Sequence, residues 1–263
     1  MIVVDLDGTL LNKNGKVSNK TKKYLKKLKQ KGFLITIATG RIYASILNAT
    51  DGAEFANYII SDTGASIYDN LNNKILFKST IPETTVIKFF KHYTSECRCI
   101  EFCNKYKIYR YSDEIKNNVF TETIIDKKYI LDNCKNASHI SILMNNNDDV
   151  ITLYNKIKNE MSELDVILMQ DSFSDKKWIE TLPKGCSKYN SIKMLANYLN
   201  ISNNEIITFG DGLNDIEMLK KCGHGVALKN ALPEVKKVAN DITKYDNNNN
   251  GIAKYLKKYL KHN

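Results

Sequence analysis

The chain has 263 residues, 43% of them apolar, which is enough for one large domain or two modest ones. Its longest apolar runs are far too short to cross a bilayer, and no basic segment followed by a longer apolar stretch opens it, so a cytoplasmic protein without a membrane partner is expected. Lysine and arginine outnumber aspartate and glutamate by 39 to 29, a net charge of +10 that raises the question of nucleic acid.

The first predicted element is Ile2-Val3-Val4, a β-branched run of the kind found in buried strands. It leads into Asp5-Leu6-Asp7-Gly8-Thr9. Residues two apart share a face of an ideal strand, so Asp5 and Asp7 are placed to converge on one cation or one substrate. Carboxylates that close repel each other unless a cation or a shared proton offsets the charge. Alone, the pattern reads equally as a solvated turn.

Ser18 is positioned to cap a helix that stops at Gly32. Thr21, Tyr24, Leu25 and Leu28 form its apolar stripe, and Lys20, Lys22, Lys23, Lys26, Lys27, Lys29 and Lys31 lie largely opposite. A solvated helix face accounts for this charge. No aromatic–basic interleaving or helix-turn-helix signal accompanies it, so no nucleic-acid partner is expected. The positive field would still help to collect small anionic substrates.

A second buried strand, Phe33–Ile37, ends at Ala38-Thr39-Gly40-Arg41. A short helix and a third strand, Tyr58–Ile60, follow. Gly64–Tyr68 and Lys74–Lys78 flank a polar turn and read as a hairpin. From Pro82 the pattern changes: a helix to Ser95, strands Arg98–Phe102 and Tyr106–Arg110, a helical stretch Asp126–Lys135, and strands Ser138–Met144 and Leu164–Gln170 around a helix from Asp148 to Glu160. Trp178–Pro183 leads back to strand–helix alternation. That continues through helix Lys188–Leu199, strand Ile206–Phe209, helix Asp215–Lys221, strand His224–Leu228, helix Leu232–Ala239 and a last helix with Ile252, Tyr255, Leu256, Tyr259 and Leu260 on one face.

This alternation predicts an α/β fold: a doubly wound, Rossmann-like parallel sheet with an α+β cap domain inserted into it. The expected boundaries are 1–81 and 182–263 for the core and 82–181 for the insertion. Cys97, Cys99 and Cys103 cluster without a matching second half, and reduced thiols are the expected state. His92, His139 and His262 have no evident partner, and His224 opens a strand; none is expected to act chemically.

Asp5/Asp7, Thr39-Gly40-Arg41, Lys188 and Gly210-Asp211-Gly212-Leu213-Asn214-Asp215 follow predicted core strands or open the helix after the insertion. Strand ends of a doubly wound sheet converge on one rim. Carboxylate and hydroxyl oxygens of this kind suit Mg²⁺, which keeps waters and adds substrate phosphate. Thr39 and Lys188 are suited to phosphate oxygens, and Gly8, Gly40 and Gly212 allow backbone N–H groups close to an anion.

These four motifs, in this order, resemble those of the haloacid dehalogenase superfamily of phosphatases. Asp5–Leu11, Ala38–Arg41, Gly210–Leu219 and Gly225–Leu228 with Asn230-Ala231 are similar to its Cof-type branch, which carries a large α/β cap where the insertion falls. The resemblance implies that Asp5 is the nucleophile and Asp7 the general acid/base. It implies Mg²⁺ held by Asp5, the Asp7 main-chain carbonyl and Asp211, with Asp215 as a further ligand. Thr39, Gly40, Lys188 and Asn214 would bind the phosphoryl group, and Lys188 would offset the charge of Asp5. The implied activity is hydrolysis of small phosphorylated metabolites, sugar phosphates or phosphorylated cofactors, by a monomer or weak homo-oligomer. A phosphoryl transferase or mutase, and a phospho-acceptor signalling protein, are the alternatives. Two places depart from the pattern: Ser61-Asp62-Thr63 stands where asparagine usually precedes Gly64-Ala65, and Tyr189-Asn190 follows Lys188 where glycine is usual. Tyr106, Tyr109, Arg110 and Tyr111 are candidates for the pocket or for strand packing.

Overall fold

The computed structural model describes residues 1–104, 106–112, 120–124, 126–144, 147–170 and 176–262. In chain order, β1 (Ile2–Val4), α1 (Asn19–Gln30), β2 (Ile35–Ala38), α2 (Tyr43–Thr50), β3 (Tyr58–Ser61), β4 (Ser66–Asp69) and β5 (Lys74–Lys78) come first. A second set follows: α3 (Glu83–Tyr93), β6 (Cys99–Cys103), β7 (Ile108–Tyr111), β8 (Thr121–Ile124), α4 (Lys127–Asn133), β9 (His139–Leu143), α5 (Asn147–Glu160), β10 (Leu164–Gln170) and β11 (Lys177–Pro183). The chain then adds α6 (Lys188–Tyr198), β12 (Ile207–Gly210), α7 (Ile216–Lys221), β13 (His224–Ala227), α8 (Pro233–Val238), β14 (Asp241–Ile242) and α9 (Gly251–His262).

The first and last sets share an eight-stranded sheet ordered β14-β13-β12-β1-β2-β3-β4-β5. The strands from β14 to β3 are parallel, and β4 and β5 add an antiparallel edge. Alternation along β1 shows why both faces are covered. Ile2 and Val4 join a cluster with Leu25, Leu28, Phe55 and Leu256, whereas Val3 joins Ile192, Leu195, Met218 and Leu219 on the other side. Ser18 caps α1 as expected, accepting from the Thr21 N–H at 3.1 Å.

The middle set forms a six-stranded sheet ordered β10-β11-β9-β6-β7-β8. One of its faces packs Ile100, Phe102, Ile140, Ile142 and Ile179 against Phe89 and Phe90 of α3 and Val150, Leu153 and Ile157 of α5. Residues in alternate register, including Glu101, Ser141, Trp178 and Glu180, point the other way and line a cavity shared with the ends of the first sheet. The protein is thus an α/β fold with a Rossmann-like sheet and a second α+β layer, as expected. Among the described residues no helix is long and apolar enough to cross a membrane.

Three details differ from the sequence reading. Trp178–Pro183 is not a simple return: β11 pairs on both sides, with β10 and β9, inside the second sheet. Two short strands were not foreseen. Thr-Glu-Thr-Ile of β8 and the two exposed residues of β14 are too short and too polar to carry a hydrophobic period, and pairing with β7 and β13 defines them.

Candidate active site

The site grows from the ends of β1 and β12. The Asp5 N–H still donates to the Phe209 carbonyl at 3.0 Å, so Asp5 is held in register at the sheet edge. The chain then leaves the strand in a wide π-type turn over Leu6–Leu10. Gly8 makes this possible: its φ is +72°, and a Cβ there would lie 2.1 Å from Asp211 Oδ2. Thr9 Oγ1 donates to Asp211 Oδ1 at 2.5 Å. Beyond β12, Asp215 Oδ2 accepts from the N–H groups of Asp211 (2.9 Å) and Gly212 (3.0 Å), folding the Gly210–Asp215 loop onto its own carboxylate.

Lys188 opens α6 and is 1% exposed. Its Nζ donates to Asp5 Oδ1 at 2.7 Å and to Asp215 Oδ1 at 2.6 Å. Asp5, Asp211 and Asp215 are all buried, with carboxylate oxygens within 4.8 Å of one another. Burial raises the Asp5 pKa; Lys188 opposes this, while Asp215, Asp211 and Asp7 add to it. Burial works against the Lys188 ammonium, but Asp215 and Asp5 outweigh it and raise its pKa. Three buried carboxylates face one ammonium, which leaves an excess of negative charge that a divalent cation would balance. The all-oxygen donor set fits such an ion, and the absence of a side chain on Gly8 is what lets the Asp211 carboxylate into the cluster.

Asp7 does not share a face with Asp5. Turned out by the wide turn, its carboxylate is gripped by both arms of the Arg41 guanidinium, Nε to Oδ2 at 2.7 Å and Nη2 to Oδ1 at 2.6 Å. Arg41 is steadied by Ser45 Oγ at 3.2 Å. Asp7 stands outside the three-acid cluster yet lines the same cavity. Thr39 is buried at the end of β2, where its N–H donates to Ile60 O and its Oγ1 accepts from the Arg41 N–H at 3.3 Å. Thr39, Gly40 and Asn214 line the cavity with Asp5 and Asp7, whereas Lys188 lies beneath it, on the carboxylates. The structure therefore brings Asp5, Asp7, Thr39, Gly40, Lys188, Asp211, Asn214 and Asp215 to one rim.

The cavity measures about 850 Å³. Its far wall comes from the second sheet, but through residues other than Tyr106, Tyr109, Arg110 and Tyr111. It includes Glu101, which is paired with the buried Arg110, as well as Ser141, Leu143, Trp178 and Glu180. The available signal was the alternation in Trp178-Ile179-Glu180: with Ile179 in the core, its neighbours must face away. Tyr109 and Tyr111 pack against the second core, and Tyr106 is largely exposed. The partnerless reading of His139 is corrected, because its Nδ1 lies 3.4 Å from Asp62 Oδ1 in a buried contact. His92 and His224 have local partners, Lys88 O and the Tyr255 hydroxyl, and the His262 side chain lies outside the described residues. Cys97, Cys99 and Cys103 are free thiols, and burial pushes the Cys97 pKa up to about 12.

Comparison with known proteins bears on this geometry. The family model for haloacid dehalogenase-like hydrolases matches residues 2–256. A protein of Buchnera aphidicola subsp. Schizaphis graminum is 32% identical over 275 residues, covering 100% of this chain and 97% of its own. The 5-amino-6-(5-phospho-D-ribitylamino)uracil phosphatase YitU of Bacillus subtilis is 27% identical, covering 99% and 97%. A solved haloacid dehalogenase-like hydrolase from B. subtilis shares the fold with a TM-score of 0.85 at 22% identity, covering 98% and 99%. An α/β enzyme whose acids meet at the sheet's rim is the class that fold and site define. Within it, the chain belongs to the haloacid dehalogenase-like hydrolase family.

Proposed function

We propose that the protein is a Mg²⁺-dependent phosphatase of small phosphorylated metabolites that works through an aspartyl-phosphate on Asp5. The observation that carries this reading is the buried Asp5–Lys188–Asp215 array beside Asp211, open to a cavity that Asp7 also lines. Asp5, Asp211, Asp215 and the Asp7 main-chain carbonyl would hold Mg²⁺, which when bound supplies positive charge where a carboxylate and a phosphate dianion must meet.

The chain's own residues then divide the work. Lys188 favours the ionised form of Asp5 against its burial, and a bound cation would add to that. An Asp5 carboxylate oxygen attacks phosphorus in line; the Asp5–phosphorus ester bond forms as the bond to the leaving oxygen breaks. Asp7 gives its proton to that oxygen, then takes one from the water that hydrolyses the acyl phosphate, which frees Asp5 and inorganic phosphate. Thr39, Gly40 and Asn214 bind the phosphoryl oxygens, and Lys188 borders them from below.

The remaining wall selects the leaving group. We assign the insertion to a cap and the two flanking segments to the catalytic core, with the expected boundary at 81/82 kept and that at 181/182 moved to follow Pro183, because β11 carries the cap on to that residue. A cavity of about 850 Å³ is the size of a small-ligand site. A relative named as a phosphatase of a phosphorylated ribitylamino-uracil supports substrates of that size and polarity.

The test is phosphate release from p-nitrophenyl phosphate. The protein should release phosphate with Mg²⁺ and stop when a chelator removes it. Isomerised product without free phosphate would favour a mutase instead.

A further inference from the structure

The sequence departs from the family pattern at Ser61-Asp62-Thr63, and the fold gives those residues an unusual place. Asp62 and Thr63 both sit at left-handed φ, 52° and 51°, a region that aspartate tolerates but that β-branched threonine adopts only when its surroundings hold it there. This segment is the floor of the phosphate-gripping loop. The Asp62 N–H donates to Arg41 O and the Thr63 N–H to Thr39 O, each at 3.0 Å. Gly40 lies so close that a Cβ on it would stand 3.2 Å from Thr63 Oγ1.

The contacts that hold the segment come from both sheets. The Asp62 carboxylate is fully buried. Oδ2 accepts from Ser61 Oγ at 2.5 Å, next to it in the chain. Oδ1 accepts from Ser138 Oγ at 2.6 Å and faces His139 Nδ1 at 3.4 Å, both at the start of β9 in the second sheet. Thr63 Oγ1 donates to Glu180 Oε2 of β11 at 2.8 Å. A buried carboxylate that loses its donors is left with an unpaid desolvation cost. If the second sheet moved off, Asp62 would keep only the Ser61 hydroxyl among these three contacts, and the left-handed turn would be held by its backbone bonds to Thr39 and Arg41 alone.

We propose that Asp62 is a positioning residue that couples the seating of the second sheet to the shape of Thr39–Arg41, acting through Ser138 and His139. The inference rests on the phosphatase reading of the site. Coupling of this kind is reciprocal: a seated second sheet strengthens phosphate binding, and bound phosphate favours the seated sheet. The second sheet then does more than contact the leaving group, because it also sets how well the core grips the phosphoryl group common to all substrates.

The test combines kinetics on p-nitrophenyl phosphate with calorimetric binding of inorganic phosphate, both with Mg²⁺, for D62N, H139Q and the double variant. Each single variant should raise KM and weaken phosphate binding by about fivefold or more, with kcat changed less than about twofold. The double variant should be no worse than the worse single one. Unchanged KM and phosphate affinity in folded D62N, or a double variant equal to the product of the singles, would overturn the coupling. If D62N does not fold, S138A decides by the same two readings: a weaker grip supports the proposal and an unchanged one overturns it. Wild-type protein that binds phosphate but does not hydrolyse the ester would count against the phosphatase reading, while the binding data would still decide the coupling.

Discussion

Asp5 and Asp7 stand two apart in the chain but differ in surroundings, and the proposed mechanism gives them different roles on that ground. Asp5 is buried against Lys188, whereas the Asp7 side chain is 57% exposed in the fork of Arg41. A guanidinium holds both carboxylate oxygens at once, and an ammonium cannot. Arg41→Lys should therefore lower kcat on an alkyl phosphate about tenfold, with a smaller loss on p-nitrophenyl phosphate, whose leaving group needs little protonation. Equal losses on both substrates would show that Arg41 serves phosphate binding instead. The acids and Lys188 were legible in the sequence because short motifs at strand ends carry them. Glu180 and the Asp62–His139 contact were not. Thr63 and Glu180 are 117 residues apart, and no local pattern records which of two strand faces will meet a distant loop.

At the scale of elements, period and punctuation were readable wherever a run was long enough. The helix after Ser18 and the parallel strands β1, β2 and β12 follow from their apolar spacing. Single glycines carry information that periodicity does not. In β13, a Cβ on Gly225 would stand 1.9 Å from the Leu219 carbonyl oxygen, so α7 packs on this strand only because the side chain is absent. Gly225→Ala should destabilise the protein by roughly 1–3 kcal/mol, measured by urea unfolding, because rigid backbone must move to admit the methyl group. A change within error would mean that the α7–β13 packing is looser than this distance implies.

At the scale of the molecule, the two sheets enclose one charged site, and its balance is testable through stability. A cation bound only by the folded protein stabilises it by about 2.7 kcal/mol at a hundred times its dissociation constant. Mg²⁺ should thus raise the thermal midpoint of the wild type, and Asp211→Asn should remove most of that rise. Between the sheets, burial works against the His139 imidazolium, but Cys103, Asp62 and Glu180 outweigh it, and its pKa is raised. A group raised on folding stabilises fully below its unfolded value, about 6.5, and that stability is lost as pH climbs through the folded value. The stability advantage of wild type over H139Q should accordingly shrink as pH rises from 6 into the alkaline range in urea titrations. A constant difference would mean that His139 is not charged in this contact.

The central claim is that Asp5 carries the phosphoryl group. Turnover quenched in acid, followed by peptide mapping, reads this directly. The account predicts phosphate covalently attached to the peptide containing Asp5 in the wild type, with neither label nor turnover in Asp5→Asn. Label on another residue, or normal turnover by Asp5→Asn, would contradict it.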